Sequence, residues 1–118
     1  MTIVPQKSTQ VPVVDATALP LFVGAVKQAI EALIDQMNAV AEQLSIPVDA
    51  IQIRRFMDND QGCPRLLVEQ RLIASDETSA RFLDRFTETV DRWYETLPAE
   101  MAELFIDSVL FDFRWSGD

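Results

Sequence analysis

Along this chain the spacing of apolar positions shifts from helical to alternating, back to helical and back to alternating, and each shift marks an element. Val26, Ile30, Leu33, Met37, Val40 and Leu44 follow one another at steps of four and three, which lines them up on one side of an α-helix. Phe22 and Ala29 widen the stripe, while Lys27, Glu31, Asp35, Asn38 and Glu42 fall on other faces. Asp15 or Thr17 as cap, with Pro20 in the first turn, predicts the start of the helix. Ser45-Ile46-Pro47 predicts its end, because proline disfavours helical geometry in the residue before it.

Beyond Pro47 the period becomes two. Ile51, Ile53, Arg55 and Met57 alternate with Gln52, Arg54, Phe56 and Asp58. After the turn residues Asn59 to Pro64, a second run extends from Arg65 to Ile73, and together they read as an antiparallel hairpin. Ser75 ahead of Asp76 and Glu77 then supplies a cap and two charges suited to the positive end of a helix. Phe82, Phe86, Val90, Trp93 and Leu97 form the apolar stripe of that helix, which Pro98 closes. A turn of helix fits Ala99 to Glu103. The aromatic and β-branched run from Leu104 to Trp115 predicts a strand, although helical spacing also accommodates its first half.

The order is therefore helix, hairpin, helix, strand. It implies an α+β fold in two layers, with a small, mainly antiparallel sheet of about three strands and two long helices packed on one face. Residues 1 to 14 hold two prolines and no helical period, so they read as an extended arm with a short strand at Val11 to Val14. Residues 15 to 118 read as one domain.

Composition narrows the chemistry. Of the 118 residues, 48% are apolar and 25% charged, the balance of a folded domain rather than of an acidic tail. Nineteen acidic and ten basic side chains give a net charge of -9, and there is no histidine. The commonest general acid/base and metal ligand near neutral pH is thus missing. Nucleic-acid binding, which rests on Lys and Arg displacing counterions, is disfavoured. A single cysteine, Cys63, forms no internal disulfide and fits a reducing cytoplasm. The longest apolar stretch, Leu19 to Val26, contains Pro20 and Gly24 and falls far short of the roughly 20 residues that span a bilayer. The N-terminus carries neither a myristoylation glycine nor a basic, apolar leader, so no membrane attachment is expected. The charge is uneven: residues 1–50, 51–74 and 75–118 carry -3, +1 and -7. That polarity can steer a basic partner toward the C-terminal third, and solubility alone also accounts for it.

Few residues are arranged for catalysis. Asp58-Asn59-Asp60-Gln61-Gly62 resembles the opening of a calcium loop with Glu69 in the twelfth position, but Cys63 replaces the glycine needed at the sixth, and strands replace the flanking helices. Cys63 has no clear cationic neighbour in sequence to lower its pKa. Asp107 and Asp112, five apart on a strand, point to opposite faces and cannot act on one bond. No metal and no cofactor are expected.

Two sheet faces remain. On the inner one, Arg55, Gln70 and Asp107 interrupt an apolar surface. A buried charge needs a partner, so either Arg55 approaches Asp107 or each lies where the helical cover ends; a pocket for a small anion is the other use of the three. The opposite face combines Arg54, Phe56, Leu67, Glu69, Arg71, Ile73, Ile106, Ser108, Leu110, Asp112 and Arg114. Aliphatic groups mixed with arginines fit an interface, with Arg54, Phe56, Arg71, Leu110 and Arg114 as its candidate contacts. A lattice of cross-strand ion pairs is the alternative. The expectation is a non-enzymatic, cytoplasmic protein-interaction or regulatory module, inhibitor-like or antitoxin-like, homodimeric, and with a basic protein as a further partner. The alternative is a module that binds a small anionic ligand.

Overall fold

Two strand-helix-strand crossovers flank one antiparallel hairpin. The computed structural model describes residues 12–57 and 64–116, which form β1 (Val13–Val14), α1 (Gly24–Gln43), β2 (Val48–Met57), β3 (Pro64–Ile73), α2 (Asp76–Glu95), α3 (Ala99–Ser108) and β4 (Val109–Ser116). The strands lie in the order β1-β2-β3-β4. β2 and β3 pair antiparallel, with Ile53 opposite Val68, whereas β1 runs parallel to β2 and β4 parallel to β3.

The α+β class holds, and three details of the expected sheet change. Among the described residues it has four strands, since the end of the N-terminal arm adds Val13 and Val14 beside Gln52 and Ile53. It is mixed rather than mainly antiparallel, because β4 returns parallel to β3. A third helix joins the two long ones: Leu104 to Ser108, expected in the last strand, complete α3, and extended backbone begins at Val109. Phe105 is the reason. It lies four residues after Met101 on the helix and is buried, with its ring 5.4 Å from Trp93 and 6.1 Å from Tyr94. Packing against α2 thus overrides the strand preference of Phe105 and Ile106.

The stripe of α1 is buried as its spacing requires. Ile30, Leu33, Met37 and Val40 are inaccessible, with Ala29, Ile34 and Ala41 beside them. Each large side chain contributes about 1.5–3 kcal/mol by leaving water. The helix begins later than Asp15, Thr17 and Pro20 imply. The Asp15 carbonyl accepts from the amides of Ala18 and Leu19 in a preceding turn, and Gly24, at φ +58°, redirects the chain into α1. A residue with a Cβ disfavours that conformation.

The C-terminus of α1 closes by hydrogen bonding as well as by Pro47. The Ile46 amide donates to the Ala41 carbonyl at 2.8 Å and the Ser45 amide to Glu42 at 3.1 Å, with Ser45 at φ 56°. This is a Schellman closure with serine in the position that favours glycine. Ser45→Gly is expected to stabilise the fold by about 1 kcal/mol, measured as a higher urea midpoint with an unchanged m-value.

Ser75 caps α2 as its sequence predicts, its hydroxyl accepting from the Thr78 amide at 3.2 Å. Phe82 and Phe86 then meet Phe113 edge to face at 4.9 and 4.7 Å. The corner between α2 and α3 is fixed by Tyr94, whose hydroxyl donates to the Ala102 carbonyl at 2.7 Å. Burial, with Asp107 and Glu103 nearby, raises the Tyr94 pKa above its ordinary value of about 10. The fold holds the neutral phenol, so stability is unaffected below pH 10 and falls as pH rises through the raised value. Tyr94→Phe is expected to lose the hydrogen bond at neutral pH and to flatten the alkaline decline, measured by thermal melts from pH 8 to about 11.

Candidate interaction surface

All three helices cover the same face of the sheet. Gln70 of β3 donates to Asn38 of α1 at 3.1 Å, which places α1 over the inner side chains. The ring contacts of Phe82 and Phe86 with Phe113 place α2 there too, as the contact of Phe105 with Phe111 does for α3. Among the described residues no helix lies on the other face.

Strand alternation and register decide which residues occupy that outer face. Arg54 lies opposite Leu67, and Leu67 opposite Leu110. Gln52, Glu69 and Asp112 form the next row, and Ala50, Arg71 and Arg114 the row after it. Phe56 faces Arg65 at one end, and Ile73 faces Ser116 at the other. The five candidate contacts, Arg54, Phe56, Arg71, Leu110 and Arg114, therefore share one surface. Ile106 and Ser108 do not belong to it, because α3 carries them.

At the middle of this open face sits a carboxylate that water scarcely reaches: Glu69 is 2% exposed. Three guanidiniums close over it. Arg114 Nε lies 3.0 Å from Glu69 Oε2, Arg54 Nη2 3.4 Å from the same oxygen, and Arg71 Nε 3.5 Å from Oε1. Each arginine remains about half exposed or more. Charged hydrogen bonds offset the cost of desolvating the carboxylate, and the arginines keep most of their donors for other acceptors. Arg65 and Asp112 belong to the same face, and two more carboxylates border it: Asp49 lines a depression with Arg71 and Arg114, and Asp15 lines one with Arg54, so the acidic chain balances its arginines here and concentrates them around Glu69. Phe56, Ile73 and Val13 are exposed at its margins.

Sequence spacing places Glu69 on this face among arginines. Its burial beneath them is a consequence of β2 and β4 flanking β3, a neighbour relation that strand period does not encode. The apparent resemblance of Glu69 to a calcium ligand dissolves, since its carboxylate faces Arg54, Arg71 and Arg114. The turn Asp58 to Gly62 and Cys63 lie outside the described residues.

The inner polar groups do not converge. Gln70 is fully buried, with Nε2 bonded to Asn38 and Oε1 unpartnered. Arg55 is exposed near the end of β2, and Asp107 is exposed on α3 rather than on a strand. No ion pair joins these two described residues within 4 Å, so the expected contact is not formed. Asn38, assigned by spacing to an outer face of α1, is half-buried as the partner of Gln70.

Among the described residues no group of three or more acidic or cysteine side chains is arranged to hold a metal ion, and no helix is long and apolar enough to cross a membrane. Comparison with known protein families, with curated proteins and with solved structures gave no match. The reading of function therefore rests on the surface itself.

Glu69→Gln leaves three guanidiniums without their shared counter-charge. The expected loss is about 1–3 kcal/mol at low ionic strength. It should shrink in high salt as repulsion among the half-exposed arginines is screened, and urea unfolding at two salt concentrations measures both effects.

Proposed function

We propose that this protein is a non-enzymatic, homodimeric interaction module of the cytoplasm whose open sheet face receives an acidic segment of a partner protein. One observation carries the reading: Arg54, Arg71 and Arg114 surround the buried Glu69 on a sheet face that no described helix covers. The carboxylate holds Arg71 and Arg114 at Nε and Arg54 at one Nη, and all three side chains stay about half exposed or more, so part of the ordering cost of binding is met in the free protein. Arginine forks suit carboxylates, and the aliphatic Leu67 and Leu110 between them supply the apolar ground found at the centre of interfaces.

This choice differs from the basic partner that net charge alone favours. A basic partner would meet the acidic α2, where the side chains are solvated and set no comparable geometry. The small-anion alternative loses its support because Arg55, Gln70 and Asp107 do not converge. The single cysteine fits a reducing compartment.

Fluorescence anisotropy with a labelled glutamate-rich peptide tests the reading. Binding is expected at low salt, falling steeply with ionic strength, and weakened by roughly tenfold or more in Arg54→Gln/Arg71→Gln. A peptide that does not bind, or binds the double variant equally well, overturns it. So does preferential binding of a lysine-rich peptide of equal length.

A further inference from the structure

β4 is an eight-residue edge strand hydrogen-bonded on one side only, and among the described residues no strand pairs with its outer edge. Such an edge offers a row of free amides and carbonyls to another strand. Folded proteins blunt it with prolines, lysines, bulges or very short strands. Val109 to Ser116 contains no proline, glycine or lysine, and its register with β3 runs unbroken from Leu66 opposite Val109 to Ile73 opposite Ser116. The opposite edge of the sheet, β1, is only two residues long.

Two further features mark the same strand. On its helix side, Phe111 and Trp115 are 40% and 38% exposed, so α2 covers them incompletely. Trp115 is nevertheless held in place, its indole N–H donating to Asp76 at 2.8 Å. On its outer side the charges are mismatched with β3: Glu69 lies opposite Asp112, and Arg71 opposite Arg114. Like charges directly opposite are destabilising. The diagonal from Arg114 to Glu69 relieves part of this, while Asp112 reaches Arg114 only at 3.9 Å.

The sequence of the strand supplies what is missing. Phe111-Asp112-Phe113-Arg114-Trp115 reads aromatic, acid, aromatic, base, aromatic, and so is self-complementary in the antiparallel sense. We infer that β4 pairs antiparallel with β4 of a second copy about a two-fold axis through Phe113, joining two sheets into one of eight strands. The inference rests on the homodimeric part of the functional reading and not on its acidic partner.

A two-fold axis normal to the sheet keeps inner faces with inner faces and outer with outer, as an isologous contact requires. Centred on Phe113, it sets Asp112 of each copy opposite Arg114 of the other. It also sets Phe111 opposite Trp115 twice and Phe113 against its own counterpart. Slipping by one residue would bring outer side chains opposite inner ones, against the pleat. Slipping the axis to Asp112 or to Arg114 would place identical charges opposite each other. Only the central register matches both faces.

Sedimentation equilibrium with a charge exchange tests this register. The wild type is expected to dimerise. Asp112→Lys and Arg114→Glu each create two like-charge contacts across the axis, and each alone should raise the dimer Kd by roughly tenfold or more. An equimolar mixture of the two should recover wild-type affinity within a few-fold, because the lysine at 112 then faces the glutamate at 114 while the native Asp112 and Arg114 face each other. Asp112→Lys places its lysine opposite Glu69, so its thermal midpoint should not fall.

Hydrogen exchange of the wild type needs no folded variant: amides of residues 110–116 should exchange more slowly as concentration rises. A wild type that remains monomeric up to about 1 mM, variants that dimerise undiminished, a mixture that gives no rescue, or edge amides indifferent to concentration would each overturn the interface. A monomer that still binds the glutamate-rich peptide overturns this interface and the homodimeric reading while the acidic partner stands. A wild-type dimer that does not bind the peptide overturns the acidic-partner reading alone.

Discussion

Parallel pairing of β4 with β3 is the constraint from which most of the architecture follows. A strand parallel to its predecessor cannot be reached by a tight turn; the chain must return the full length of β3 before it can begin. The eight paired residues of β3 span about 26 Å, and the 20 residues of α2 rise about 30 Å, so one helix makes the return. α3 then closes the corner under Tyr94 and Phe105. The same path places α2 and α3 beside α1 on a single face, with Phe82 and Phe86 over Phe113. With all the described helices on one face, no described helix is left to cover the other, and β4 stands at the rim.

What was legible in the sequence was whatever a local period encodes. The stripes of α1 and α2, the hairpin and the sharing of one face by Arg54, Arg71 and Arg114 all follow from spacing, because burial on one side imposes 3.6 or 2 on the chain. Neighbour relations were not legible. Nothing in the alternation of Val109 to Trp115 says whether its partner runs parallel or antiparallel, and that choice decides whether Leu104 to Ser108 can extend. These residues satisfy either period, and contact with Trp93 and Tyr94 selects the helix. Asp107 was misplaced for the same reason, since its parity with Phe105 has meaning only on a strand. Arg55 shows the converse: its parity is right, but parity does not report where the helical cover stops.

The electrostatic polarity is likewise a product of topology. α2 and α3 carry most of the surplus acid, and they lie on the inner side of the sheet. The four arginines of the outer face lie on the other. The surplus acid and the arginine cluster are thereby separated by the thickness of the sheet and its core, a distance comparable to the roughly 8 Å Debye length at physiological salt. Each face then acts largely on its own surroundings. The cations of the outer face are all arginines, which matters at Glu69. A guanidinium offers several donors in a plane and shares an acceptor sideways; three compact, strongly hydrated ammonium groups would not gather over one carboxylate as readily.

Arg114 belongs to both the face and the edge, and this links them. Its Nε is held 3.0 Å from Glu69 while its strand is the outermost of the sheet. The buried carboxylate therefore fixes a side chain that stands on the outermost strand. A second sheet arriving there would meet a charge already placed, not one that must be ordered on contact, and the entropy of ordering a long side chain is a main cost of forming such contacts. In the joined sheet the two guanidinium patches would share one continuous outer surface. A partner with two acidic segments would then engage both with the advantage of linkage rather than of any new contact. The glutamate that shapes the face of one protomer would, on that geometry, also set the span between the two faces.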